Sequence, residues 1–96
     1  MALIKPIKQN NGIILSYHRI HDIKNIVNDK TIICVYSYVD KEEREKEKIL
    51  VEGFIPKYLV YVVMSEEELE YNDNLSIKQA YEYLKTLDKY KDAQDD

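Results

Sequence analysis

One cysteine, two glycines, two prolines and no tryptophan in 96 residues exclude several kinds of chemistry. Cys34 has no second cysteine to pair with, which rules out an intrachain disulfide and a cysteine-based zinc cluster. Glycines at 12 and 53 alone leave no glycine-rich loop to cradle a phosphate. A basic excess is missing too, since 14 Lys and Arg stand against 18 Asp and Glu for a net charge of −4. Broad nucleic-acid binding needs a positive field that displaces counterions, so it is not expected. No apolar run approaches the roughly 20 residues that span a bilayer. The opening "MALIKPIKQNNG" also lacks the continuous apolar core of a signal peptide. A soluble chain made in the cytoplasm, without membrane contact, is the expectation.

What is present is a chain 45% hydrophobic and 33% charged, a balance that fits one folded domain over 1–88. Residues 3–8 read as a strand that Pro6 confines to a sheet edge. "NNG" (10–12) marks a hairpin turn into "IILSYHRI" (13–20), and "NDK" (28–30) is the next turn. "TIICVYSYV" (31–39) is the clearest strand. Ile33, Val35 and Val39 share one face with Ser37, and Ile32, Cys34, Tyr36 and Tyr38 share the other. Neither face is polar, which predicts a central strand. The charged run after it, 40–50, reads as a short helix capped by Asp40 or as a solvated hairpin arm. "KYLVYVVM" (57–64) predicts another strand, and Ser65-x-x-Glu68 one or two helical turns. In "LSIKQAYEYLKTL", Ser76 and Gln79 form a capping box, and Ile77, Ala80, Tyr81, Leu84 and Leu87 repeat on one helical face. The acidic tail 89–96 has no apolar stripe and is expected to fray. The expected fold is α+β: a small antiparallel sheet of about four strands, a C-terminal helix on one face, and one or two short helical turns.

No catalytic or cofactor pattern emerges. In "YHRIHD" (17–22), His18 and His21 point to opposite faces of a strand, and neither a His-x-x-x-His pair nor a second cysteine adds ligands. Cys34 sits inside an apolar run, where cysteine behaves as a small hydrophobe and not as a thiolate. The carboxylates cluster at 42–47, 66–70 and 92–96, and such runs are ordinarily solvated faces. No enzyme activity, cofactor or metal is expected. The nine tyrosines are the informative excess, because tyrosine joins apolar area to a polar tip and is enriched at interfaces. Tyr17 and Tyr81 read as core. Tyr36, Tyr38, Tyr58, Tyr61 and Tyr83, with His18 and Arg19, are the candidate protein-interface residues.

Three segments taken together, "NGIILSYHRI", "SYVDKEER" and "IKQAYEYLKTL" before an acidic end, resemble short proteins encoded by tailed phages and prophages of Gram-positive bacteria, often near tail and baseplate genes. The resemblance implies a virion-associated or tail/baseplate accessory protein that works by protein–protein assembly. Its partners would be further copies of itself or other virion proteins, in the host cytoplasm and then in the particle. The alternative is a small phage-encoded inhibitor of a host defence system, anti-CRISPR-like or a sponge for a small nucleotide signal. Against nucleic-acid mimicry, residues 40–48 alternate in sign and form no acidic block.

Overall fold

A computed structural model describes residues 1–47 and 60–96. Five strands form one sheet: β1 (Leu3–Lys8), β2 (Ile14–Ile26), β3 (Lys30–Tyr38), β4 (Val62–Glu70) and β5 (Gln94–Asp95). Their spatial order is β4-β3-β2-β1-β5, and every pairing is antiparallel. Two helices, α1 (Lys41–Glu47) and α2 (Ile77–Lys85), and a 3-10 turn (Asp88–Tyr90) complete the described elements. This is the α+β architecture expected from the sequence, with one more strand. None of the described helices is long and apolar enough to cross a membrane.

Turn chemistry sets the two hairpins. Gly12 has φ +87° and its N–H donates to the Gln9 carbonyl at 2.9 Å, a conformation that costs L-residues strain. Asn28 takes φ +61° between β2 and β3, where asparagine is tolerated best after glycine. β3 pairs with β2 on one side and β4 on the other, which is why neither of its faces is polar. β1 is not the edge strand expected from Pro6, since β5 flanks it, but β5 pairs only with Leu3 and Ile4 and leaves Pro6 outside that ladder. The β1–β2 register shifts between Ile4 and Ile7, around the residue that has no N–H to give.

The core lies between the sheet and α2. Ala80, Tyr81 and Leu84 are buried against Leu3, Ile20, Ile33, Val35 and Tyr90. The capping box is present: Gln79 N–H donates to Ser76 Oγ at 3.1 Å, and Ser76 N–H donates to Gln79 Oε1 at 2.9 Å. Ile77, expected on the buried stripe, is 52% exposed, and the helix ends at Lys85 with Leu87 packed beyond it.

Of the two readings of the charged run, the helix is the one found, with Asp40 Oδ1 accepting from Glu43 N–H at 3.0 Å; residues 48–50 lie outside the described part. Other expectations change. The strand expected at 57–64 is found at Val62–Glu70, with 57–59 also outside the described part. The helical turns expected from Ser65-x-x-Glu68 are therefore absent, because Ser65 to Leu69 pair with Val35 to Thr31 of β3 and ladder hydrogen bonds override a local capping signal. The acidic tail is docked, not frayed. Tyr90 is buried in the core, β5 pairs with β1, and Asp96 accepts from Tyr17 Oη at 3.0 Å.

Candidate functional site

The sheet has two unlike faces. On the side opposite α2, β3 presents Ile32, Cys34, Tyr36 and Tyr38. Register sets Lys24, Asp22, Arg19 and Tyr17 beside them on β2, and Glu68, Glu66, Met64 and Val62 beside them on β4. One end of this face is closed by the chain itself. Tyr38 is fully buried with Ala2 and Tyr17, its ring meets Tyr17 edge-on at 6.3 Å, and Arg44 of α1 lies 5.9 Å from its centroid. From Tyr36 to Ile32 no described helix packs on the sheet, although Ile32 and Cys34 are themselves buried, each 8% exposed.

A bulge shapes this open part. Ile20 pairs with Val35 and Asp22 with Cys34, so His21 is the extra residue and joins Asp22 on the open side. The His21 ring stacks on Tyr36 at 4.2 Å with planes 10° apart. The Arg19 guanidinium lies 5.2 Å from the same ring, and its Nε–H donates to Tyr38 Oη at 3.0 Å. Beside this stack is a shallow groove of about 330 Å³, bordered by His21, Asp22, Cys34, Tyr36, Met64 and Glu66. Met64 is 70% exposed there.

The groove is not set up for thiol chemistry. Burial, followed by hydrogen bonding to Asp22, pushes the Cys34 thiol up to about 11, so it stays protonated at neutral pH. The thiol in turn holds the Asp22 carboxyl below its usual value. Asp22 Oδ1 is buried and makes no hydrogen bond among the described residues, its nearest ion-pair neighbour being His21 Nδ1 at 3.7 Å. No group of three or more His, Cys, Asp and Glu among the described residues is arranged to hold a metal ion.

The candidate residues divide between the two faces. Arg19 and Tyr36 lie on the open face, half-buried. Tyr38 is beneath α1 and Ala2 and presents no surface. His18 is 2% exposed on the α2 side. Its Nε2 donates to the Lys5 carbonyl at 2.8 Å, which leaves Nδ1 to accept from Ser37 Oγ at 2.8 Å. Burial lowers its pKa, and Tyr90 meets its ring edge-on at 5.4 Å. Tyr83 packs at the margin of the main core, its hydroxyl donating to the Glu68 carbonyl at 3.3 Å. Tyr61 is exposed near the first hairpin, accepting from Asn11 Nδ2 at 3.1 Å. Tyr58 lies outside the described residues. Sequence reading missed Met64, Glu66 and Asp22 as members of the open face. The strand alternation of Met64, Glu66 and Glu68 was the available signal, hidden by the capping-box pattern over the same residues.

Comparison with protein-family models, curated proteins and solved structures finds no match to this chain.

Proposed function

We propose that this chain is a non-catalytic binding protein that works by protein–protein assembly through the open sheet face, as a structural or tail/baseplate accessory component of a phage particle. Its partners are further copies of itself or other virion proteins, met first in the host bacterial cytoplasm and then in the virion. The observation that carries the reading is the Arg19–Tyr36–His21 stack beside the exposed Met64, on a part of the sheet where no described helix packs. Aromatic, Met and Arg side chains are the ones enriched where protein surfaces meet. The phage setting rests on the resemblance of the three sequence segments. The test is solution mass by light scattering of wild type and Tyr36→Ser, with mass spectrometry of purified particles. Assembly that Tyr36→Ser weakens, with the chain found in particles, supports the reading; absence from particles with unchanged assembly contradicts it.

One observation favours the alternative, an inhibitor that sequesters a small nucleotide. On the α2 side, a cavity of about 210 Å³ is bordered by Lys8, His18, Ser37, Lys89 and Tyr90. It falls below the roughly 300–1,000 Å³ of ordinary small-molecule sites, which ranks this reading second. Calorimetry with nucleotides separates the two.

A further inference from the structure

We infer that the enclosed side of the sheet carries a second site, for a small carboxylate with an apolar body such as a single ring or a short branched chain. The site is the cavity between the first hairpin turn and the 3-10 turn. It goes beyond the assembly reading and does not depend on it. α2 covers only part of its side of the sheet, where Ala80, Tyr81 and Leu84 meet Leu3, Ile20, Ile33 and Val35. Tyr90 then borders a cavity of about 210 Å³ that reaches the turn at Gln9 and Asn10. Register sets Ser37 of β3 beside His18 of β2 and Val63 of β4, and all three border this space.

The lining selects the charge of the occupant. The chain holds 18 Asp and Glu against 14 Lys and Arg, yet no described carboxylate borders this cavity and two lysines do. Lys8, at the end of β1, has no ion-pair or hydrogen-bond partner among the described residues. Lys89 is ion-paired with Glu67, which does not itself border the cavity. After burial, the charge of Lys89 also lowers the His18 pKa, so a positive field reaches that wall. His18 has no proton to offer, because its Nε2–H goes to the Lys5 carbonyl and its Nδ1 accepts from Ser37. An anion in the cavity therefore meets Lys8 first and Lys89 second.

Size and the apolar part of the lining select the rest of the ligand. Ile7, Val63 and Tyr90 border the same space, and Tyr90 is fixed by its edge-on contact with His18 at 5.4 Å. An apolar cavity of about 150 Å³ takes up a benzene ring. A volume of about 210 Å³ thus admits one ring with its carboxylate, and is small for a base, sugar and phosphate together. A bare inorganic anion would leave Ile7, Val63 and Tyr90 without an apolar partner. Lys8 is exposed and Tyr90 buried, which turns the carboxylate outward and the apolar body inward.

The two histidines make the test specific to place, since His18 borders this cavity and His21 the groove on the open face. Benzoate is the probe, titrated into the intact chain while nuclear magnetic resonance follows both imidazole rings. The expected result is a saturable shift of the His18 signals, half complete below about 10 mM, with His21 unmoved. Acetate, which lacks the ring, and benzamide, which lacks the charge, should each bind about fivefold more weakly or worse. Lys8→Ala should weaken benzoate about fivefold or more and Lys8→Arg should restore it, with melting unchanged because Lys8 is exposed. An unmoved His18 overturns the proposal, and so does a His21 that shifts in step with it. Acetate or benzamide binding as well as benzoate, or Lys8→Ala binding as well as wild type, overturns it too. Each of these failures leaves assembly through the open face standing, because the Tyr36→Ser comparison tests that separately.

Discussion

The two faces of the sheet are built from the same strands and have opposite chemistry. On the α2 side, His18 is held between Lys5 and Ser37, Tyr81 Oη lies between the Ile20 N–H and the Met1 carbonyl, and the buried Glu67 Oε1, which makes no hydrogen bond among the described residues, is ion-paired with Lys89. On the open side, Asp22 Oδ1 makes no hydrogen bond among the described residues, Met64 is exposed, and a groove runs beside stacked rings. Enclosure with full pairing is what a core needs, since an orphaned buried group costs about 1–3 kcal/mol. Incomplete pairing and exposed apolar surface beside charge are what a contact surface has before it is occupied. The contrast teaches that residues adjacent on β3 do different work, because side chains alternate in direction.

The sharpest way to break the comparison is within the open-side row itself. Tyr38 is fully buried and Tyr36 half-buried, although the two are only one alternation apart. Tyr38→Ser should cost about 3–5 kcal/mol of stability, the range of large aromatic truncations in a core, read as a lower midpoint in urea. On the α2 side, Tyr81→Phe removes the acceptor of the Ile20 N–H (2.8 Å) and should cost about 1–3 kcal/mol in the same assay.

A pH series sharpens the enclosed side further. His18 is held neutral by burial, with a folded pKa below its ordinary 6.5. Above pH 6.5 both folded and unfolded chains carry it neutral and it adds no slope. As pH falls below 6.5, the unfolded chain takes up a proton that the folded chain refuses until its own lower pKa is reached. Stability should therefore decline over that window by at most about 1.4 kcal/mol per pH unit. The urea midpoint measured at neutral pH and about one unit below 6.5 reads this slope, and His18→Gln should flatten it. The smallest effect on stability belongs to Tyr36→Ser, expected at about 1 kcal/mol or less because a half-exposed ring loses less burial.

Much of this arrangement was legible in the sequence. The two faces of β3 follow from alternation alone, and the Ser76–Gln79 box with its apolar stripe places α2. Long-range pairing was not legible. Ser65 to Leu69 carries a helix-start pattern, and only the β3 ladder makes it a strand. The tail looks solvated until Tyr90 fills the core and β5 finds β1. At the site, the direction of His21 followed from alternation. The bulge that adds Asp22 beside it depends on β2–β3 register, which no local pattern encodes. The burial of Tyr38 depends likewise on Ala2 and α1 closing over it, contacts distant in sequence.

The claim that the open face is the working surface is tested most directly by sedimentation of the Tyr36→Ser chain beside wild type, at a concentration where wild type is assembled. The account predicts a smaller sedimenting species with far-UV circular dichroism and melting close to wild type. Unchanged sedimentation, or loss of the fold along with assembly, would contradict it.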